Sequence, residues 1–417
     1  SDQNTKDLLR KINIEGQAFC PFALYPFEDN PLNQMKRAEK YFESEFRRES
    51  KNIAYKPKNK IRIGYFSADF FKHATMFLMR RIFELHDKNK FEIFIYSCSN
   101  KQDAFTEELK KNVKKFINIT NISDEEAANI ARQDEIDIAI DLKGFTKNTR
   151  ISIFSLRVAP IQISYLGYPG TLGSRCIDYI IADKVIIPET HKKFFSEKII
   201  YMPDCYQCND SERLVSKKIF KKSDLGLNES DFIFSCFNAN NKISPNEFDI
   251  WMNLLKKVNN SYLWLYKSNE YSVINLKKES EKRGVESSRI IFAERVPNED
   301  HLSRIRCADL FLDTFKVNAH TTASDCLWAG VPIITKQGKS FAARVCSSLL
   351  TSLNLNELIV KDNSEYEEKA FNIATNATYL KKLKYRLNQN KLNSSLYDSK
   401  KFTRDIEKIY IKLINNL

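Results

Sequence analysis

From Lys60 onward, short runs rich in β-branched and aromatic residues return at intervals: IRIGYFS, FEIFIYS, KKFINI, IDIAIDL, IQISYLG and DYIIAD. Several are separated by segments of helical period, such as MFLMRRIFELH and DEEAANIARQ. Strands alternating with helices are joined by crossovers, and crossovers build a mostly parallel sheet covered on both faces. A second series follows: FIFSCF, the helical SPNEFDIWMNLLKKV, SYLWLY, a polar helix, RIIFAERV, ADLFLDT, a helix opened by His320, and VPIIT. Two consecutive doubly wound α/β domains are the expected product, with ligand at the carboxyl ends of their strands. The chain's 417 residues exceed one ordinary core and agree with two.

The expected division is a helical lead-in over residues 1–58, a first domain over 59–205, a polar linker over 206–230, a second domain over 231–395 and a closing helix over 396–417. The linker reading rests on the Lys-, Ser-, Asn- and Asp-rich stretch from Tyr206 to Asp231. A cleft between the domains is expected.

The formal charge of +13 raises nucleic acid as a partner. The cations are dispersed, however: Lys192-Lys193, Lys217-Lys218 and Lys221-Lys222 are short runs beside Asp and Glu, the pattern of a solvated surface. No nucleic-acid partner is expected. No run approaches the roughly 18 to 20 apolar residues of a membrane span, so no membrane partner is expected either. The opening SDQNTKDLLRKINIEG has no apolar stretch behind a basic end, which reads as a cytoplasmic chain without a signal peptide. Nine cysteines are scattered through core-like sequence, in the manner of reduced thiols acting as small apolar residues. Only Cys205 and Cys208 have metal-like or redox-like spacing, and they lack the second pair or nearby histidines of a zinc site.

The stretch DTFKVNAHTTASDCLWAG, from Asp313 to Gly330, follows the strand ADLFL and opens a helix. A helix start after a parallel strand presents unpaired N–H groups and a positive dipole end, which suits a phosphate or diphosphate. His320, Thr321 and Thr322 add an imidazole and two hydroxyls as donors, and Thr322 with Asp325 reads as a Thr-x-x-Asp capping box. On its own this stretch reads sooner as an ordinary capped helix, and the other motifs tip it toward a site. In FNANNKISP, Asn238 and Lys242 occupy a polar loop between the second domain's first strand and a helix with an early Pro245. A lysine there neutralises a leaving phosphate. GYFSADFFKHAT puts His73 in the first strand-to-helix loop, and Gly167, Tyr168 and Pro169 lie in a turn whose glycines allow close backbone approach to a ligand. Of five histidines, His73, His301 and His320 fall in such loops, which points to a site. Asp134, Asp137 and Asp141 lie on or beside one strand and read as structural, so no metal site is expected.

Taken in order, these motifs resemble those of the protein O-GlcNAc transferases and SPINDLY-like glycosyltransferases, particularly the bacterial members. The resemblance runs from about Ile61 to the C-terminus. It is carried by GYFSADFFKHAT, DLKGFT, APIQISYLGYPGT, DYIIAD, SEKIIYMPDCYQ, FNANNKISP, WMNLLKKV with SYLWL, RIIFAERVPNEDH, ADLFLDT and HTTASDCLWAGVPIIT. It implies a GT-B fold, in which two Rossmann-like domains face a cleft, and a metal-independent inverting transfer that needs no cofactor. By motif, Lys242 would neutralise the diphosphate while His320, Thr321 and Thr322 bind it, with Asp325 supporting that loop or the ribose. The segment around Val296 and His301 would hold the uracil, with Arg304 behind it, and Asn238 would line the substrate loop. Gly167, Tyr168 and Pro169 would face the sugar, and His73 would lie near the acceptor hydroxyl, where either its imidazole, as catalytic base, or a phosphate oxygen of the donor takes the proton. The chain departs from the animal members, which have Gln and Tyr where Ala239 and Asn241 stand and Lys where Asn298 stands. The family's helical repeat arm is absent, although PFALYPFEDNPLNQMKRAEKYFES resembles the connector that follows it.

The expectation is therefore transfer of a sugar, GlcNAc from UDP-GlcNAc, to Ser or Thr hydroxyls of an acceptor protein. UDP-glucose to Asn and GDP-fucose to Ser or Thr are alternatives of the same class, and the HTT-x-x-D pattern argues against the fucose branch. A non-catalytic nucleotide-sugar sensor is disfavoured by Lys242 and His320, and an RNA-binding protein by the scarcity of clustered Arg with aromatics.

Overall fold

The computed structural model describes residues 12, 16–50 and 53–417. The helix-and-loop reading of residues 1–11, 13–15 and 51–52 lies outside the described residues. The chain divides into two compact units: unit 1 holds the described residues up to Tyr25, Asn30–Ser211 and Ser395–Leu417, and unit 2 holds Pro26–Asp29 and Glu212–Ser394.

Unit 1 is built on seven parallel strands: β1 (Ile61–Ser67), β2 (Phe91–Ser97), β3 (Lys115–Asn118), β4 (Ile138–Asp141), β5 (Ile161–Ser164), β6 (Tyr179–Ala182) and β7 (Lys198–Tyr201). Their order is β3-β2-β1-β4-β5-β6-β7. Ile63 of β1 pairs with Ile93 on one side and Ile138 on the other. The last five residues of β1 and all four of β4 and β5 are buried, which is why these strands read as unbroken apolar runs and not as alternating ones. Gly64 stands where a Cβ would lie 3.0 Å from the Tyr96 ring, so the glycine lets β2 pack close. The intervening helices carry local start signals. Asp103 caps Ala104–Asn112 and Ser123 caps Asp124–Gln133, each in a reciprocal capping box.

Unit 2 repeats the plan with β8 (Phe232–Cys236), β9 (Ser261–Tyr266), β10 (Ile290–Ala293), β11 (Leu310–Leu312), β12 (Ile333–Lys336) and β13 (Ile359–Val360). These six parallel strands run in the order β10-β9-β8-β11-β12-β13. Both units are Rossmann-like. In each, the strand order reverses beside the first strand, between β1 and β4 in unit 1 and between β8 and β11 in unit 2. Such reversal points open a crevice at the strands' carboxyl ends.

Two boundaries differ from the sequence reading. The stretch 206–230 does not begin as a free linker: Tyr206, Gln207, Cys208, Asn209 and Asp210 are buried in unit 1, where Asp210 accepts from Arg80 Nε at 2.6 Å, and Arg213 is buried in unit 2. From residue 214 to residue 230 it is exposed or part-exposed, so composition alone did not mark where the enclosed part ends. The closing helix, Ser399–Ile414, returns to unit 1 and packs on the helix Ala74–Leu85, and it buries Phe402, Ile406, Tyr410 and Ile414, spaced four apart. Cys205 and Cys208 are buried as well, and burial pushes the Cys208 thiol up to about 12. Among the described residues no helix is long and apolar enough to cross a membrane.

The returning helix is fixed by a buried polar chain. Glu407 Oε1 accepts from His86 Nδ1 at 2.9 Å and from the Asp87 N–H at 2.8 Å, and His86 Nε2 lies 3.1 Å from the Tyr65 hydroxyl on β1. Glu407→Ala strands both donors and is expected to lower stability in urea unfolding by about 2 kcal/mol or more. Tyr410→Phe gives up only a 3.5 Å hydroxyl contact to Tyr65 and is expected to lower it by less than about 1 kcal/mol. Equal stability of Glu407→Ala and the parent would mean that the helix docks by its apolar face alone.

Candidate active site

In unit 2 the reversal point gathers most of the chemistry. Asp313, the first residue after β11, is fully buried and is a hub of donors. Its Oδ1 accepts from the N–H of Thr314 (2.9 Å) and of Ala319 (2.7 Å) and from Asn238 Nδ2 (3.3 Å), and its Oδ2 accepts from Thr335 Oγ1 at 2.6 Å. Asn238 also donates to Thr314 Oγ1 at 2.8 Å, so its amide ties the loop after β8 to the loop after β11. Its Oδ1, like that of Asn318, is buried without a partner. Burial pushes the Asp313 carboxyl up to about 6, against the pull of these donors and of Lys242.

Lys242 ends a single 3₁₀ turn, Asn240–Lys242, after β8 and extends its Nζ to 3.4 Å from the Asn318 carbonyl. The residue keeps some accessible surface, yet burial holds its ammonium below the usual lysine range while the Asp313 charge opposes that shift. Across the loop, His320 is the N-cap of the helix Thr321–Ala329, with φ −105° and ψ −93°, and its side chain makes no capping bond. The expected Thr-x-x-Asp capping box is therefore absent. Thr322 lies inside the first turn, one residue past the helix start, and Asp325 is turned inward as the partner of Arg213, both side chains being almost fully buried.

The imidazole also differs from expectation. His320 Nε2 lies 3.2 Å from the Ala342 carbonyl, so Nε2 carries the proton and donates it there, leaving Nδ1 an acceptor. Burial and the neighbouring Lys242 drive the ring's pKa down to about 3, so it is neutral. At this helix start His320 therefore offers an acceptor and not a donor. The first intrahelical bond runs from the Ser324 N–H to the His320 carbonyl at 3.1 Å, so among the described residues the earlier first-turn N–H groups have no partner. Among the described residues neither the Thr321 nor the Thr322 hydroxyl has a partner, and both residues are part-exposed.

His301 lies within the helix Asn298–Arg304 and not in a loop. Its ring meets Phe237, at the end of β8, edge to face at 5.1 Å, and its Nδ1 accepts from Arg304 Nε at 3.2 Å. Burial pushes its pKa down to about 4. The Arg304 guanidinium lies over the Trp264 ring at 6.0 Å. Val296 is part-exposed on the segment between β10 and that helix.

In unit 1 the reversal point holds a second cluster. Lys143, after β4, bonds Asp69, after β1, at 2.6 Å, and His73 Nδ1 lies 3.5 Å from the same Asp69 Oδ2. His73 caps the helix Ala74–Leu85, its Nδ1 accepting from the Thr75 N–H at 3.3 Å. Asp141 accepts from the N–H groups of Lys143 (3.0 Å) and Gly144 (2.7 Å), and burial pushes its carboxyl up to about 6. The turn after β5 is held against this loop: a Cβ on Gly167 would lie 1.8 Å from the Leu142 carbonyl oxygen. Tyr168 and Pro169 are buried, and Tyr168 accepts from the Tyr25 hydroxyl at 2.6 Å. Of the three turn residues, only Gly167 reaches the surface.

Asp69 and Lys143 in unit 1, and Asp313 and Arg213 in unit 2, carry buried charge without having been singled out by sequence. Asp313 and Lys143 do stand in the quoted runs ADLFLDT and DLKGFT, but no local spacing marks their partners. Among the described residues no group of His, Cys, Asp and Glu side chains is arranged to hold a metal ion.

The Asp313 pKa makes stability depend on pH in a defined sense. The folded value, about 6, lies above the unfolded one, about 4. The folded state therefore binds this proton more tightly, and stability is lost as pH rises from about 4 through 6. At about 1.4 kcal/mol per pH unit this amounts to about 3 kcal/mol. Stability curves of the parent and Asp313→Asn, compared across pH 4 to 7, are expected to differ by that slope. Parallel curves would mean that Asp313 titrates normally.

A family model for glycosyl transferase family 41 matches residues 37–223 and 215–406. The chain is 37% identical over 363 residues to an Arabidopsis thaliana protein named probable UDP-N-acetylglucosamine–peptide N-acetylglucosaminyltransferase SEC, covering 85% of this chain and 37% of that one. It is 30% identical to the Arabidopsis SPINDLY protein of the same descriptive name, covering 85% of this chain and 39% of that one. The chain thus spans less than two-fifths of the length of these relatives. Among solved structures, a mutant of Thermobaculum terrenum O-GlcNAc transferase matches with a TM-score of 0.86 at 25% identity, over 95% of this chain and 78% of that one. The two Rossmann-like units agree with the GT-B class of fold. On its sequence, the chain belongs to glycosyltransferase family 41.

Proposed function

We propose that this chain is the catalytic region of an inverting protein glycosyltransferase that moves a sugar, GlcNAc from UDP-GlcNAc, onto Ser or Thr hydroxyls of an acceptor protein. The observation that carries the reading is the unit 2 helix start: free first-turn N–H groups, two unpartnered threonine hydroxyls and the Lys242 ammonium converge where a diphosphate gains most from them. The names of the relatives support the donor and the class of acceptor. All nine cysteines are free thiols, which supports a reducing, cytoplasmic setting.

Transfer breaks the bond between the sugar's C1 and the diphosphate oxygen while an acceptor hydroxyl attacks C1 from the opposite face. Charge grows on the departing diphosphate. Lys242, the helix dipole and the threonines are fixed in advance to receive it, which is the most effective form of transition-state stabilisation. They supply the role a divalent cation has in other transferases, so we assign the reaction no metal and no cofactor. His301, Phe237 and Arg304 form an aromatic and cationic wall suited to the uracil, and the Arg213–Asp325 pair underlies the helix beside the ribose. Unit 1 supplies the acceptor side through His73 and the Gly167 turn.

Lys242→Ala is expected to lower turnover by about 10²-fold or more with an unchanged melting temperature. Near-normal turnover would remove Lys242 from the chemistry, and activity that EDTA abolishes and Mn²⁺ restores would overturn the metal-free reading. Thr321→Val with Thr322→Val keeps the β-branched shape and deletes both hydroxyls. UDP affinity is expected to fall by one to four orders of magnitude, at about 1.5 to 3 kcal/mol per lost bond to a charged group. Calorimetric titration showing unchanged UDP affinity would move the phosphate site elsewhere.

A further inference from the structure

The unit 1 cluster contains a contest for one oxygen. Asp69 Oδ2 lies 3.5 Å from His73 Nδ1, close enough to take a proton-bearing Nδ1 as its donor after a small movement. Two observations show that it does not. The Thr75 N–H points at that same Nδ1 from 3.3 Å, and a ring nitrogen that accepts an N–H carries no proton of its own, so the neutral ring holds its proton on Nε2. Asp69 Oδ2 is meanwhile bound at 2.6 Å by Lys143 Nζ. The Lys143 and Asp69 side chains are only 9% and 10% exposed, and the His73 side chain is 41% exposed, so the histidine meets solvent while the pair behind it does not.

We infer that Lys143 is a positioning residue that withholds Asp69 from His73, keeping the imidazole in the form protonated at Nε2. With Lys143 in place, His73 presents a hydrogen-bond donor to whatever approaches unit 1. With Lys143 gone, the unpaired Asp69 carboxylate recruits a proton to Nδ1, the Thr75 cap is given up, and Nε2 becomes a lone pair able to take a proton. The charged groups that face His73 are Asp69 from the loop after β1, Lys143 from the loop after β4 and Lys101 from the loop after β2. The two lysines disfavour a second proton on the ring, Asp69 favours one, and burial acts with the lysines. Under the proposed function this makes His73 an orienting donor to the acceptor hydroxyl or the sugar, and not the general base, which of the two candidates leaves the donor's phosphate oxygen. That last step rests on the proposed function, and the control of the ring by Lys143 does not.

The test is ¹⁵N and ¹³C NMR of the full chain labelled at histidine, with His73→Gln identifying the His73 signal among the five histidines. The parent is expected to show the Nε2-protonated pattern and a titration midpoint below the usual histidine value. Lys143→Met is expected to move the ring to the Nδ1-protonated or doubly protonated pattern and to raise its proton affinity at least tenfold, while Lys143→Arg restores the parent pattern. A Lys143→Met protein with the parent's tautomer and midpoint overturns the inference. Should Lys143→Met fail to fold, Asp69→Asn decides the matter. It is expected to keep the Nε2 pattern with a midpoint no higher than the parent's, and a raised midpoint overturns the inference. Transfer assays on the same proteins separate the two readings. An NMR response to Lys143→Met, in a chain that transfers no sugar from any nucleotide donor, sinks the proposed function and leaves the Lys143 inference standing.

Discussion

In each unit, the connections that follow two neighbouring strands leave toward opposite edges of the sheet, and nearly everything of chemical interest follows from that. β1 lies between β2 and β4, and β8 lies between β9 and β11. Because parallel crossovers are right-handed, helices on the two sides of such a point cover opposite faces of the sheet, and the strand ends between them stay uncovered. Side chains at those ends are near solvent but walled by protein. Asp69 and Lys143 stand at one such point, Lys242 and Asp313 at the other. Elsewhere the same sheets bury mainly Ile, Phe, Leu and Tyr, with few charged groups.

Holding charge in such places is unfavourable for stability. An ion withdrawn from water loses several kcal/mol of solvation, and single hydrogen bonds return about 1 kcal/mol each. Asp313 has four donors, and even so burial wins and raises its pKa. Lys242 is depressed for the same reason despite the Asp313 charge. A chain optimised for stability alone would place apolar groups here. The arrangement makes sense if the desolvation has been spent in advance on a site that meets an anion: with its solvent already removed, the ammonium gains more from a phosphate than a surface lysine does.

Much of this was legible in the sequence, for reasons that also explain the gaps. Strands buried on both faces must be continuous apolar runs, so IRIGYFS, IDIAIDL and FIFSCF were visible as such. The Thr321 helix was visible as a helix because a polar, hydroxyl-bearing turn opens an apolar run soon after a strand. Pairings between distant positions were not visible. Lys143 and Asp69 are 74 residues apart, and Arg213 and Asp325 are 112 apart, and neither pair leaves a period or a spacing to find. Local motifs misled where they are degenerate: Thr-x-x-Asp fits a capping box, but Arg213 claims the aspartate. Tyr168, in a glycine-rich turn, resembled a ligand contact, yet Tyr25, 143 residues earlier, draws its hydroxyl into the core. The proton on His320 depended on where the Ala342 carbonyl falls, and no sequence position announces a carbonyl.

The helix Ser399–Ile414 gives the chain an unusual order of completion. Apart from Pro26–Asp29, unit 2 is one continuous stretch, Glu212–Ser394, while unit 1 needs the last residues of the chain. His86 meets Glu407 across 321 positions, and Tyr65 meets Tyr410 across 345. At synthesis rates of about 5–20 residues per second, the face of β1 and its helix that these residues line waits on the order of tens of seconds for its cover. Of the two units, the one whose synthesis starts first is thus the one completed last, and through that interval His86 and Tyr65 are without their final partners.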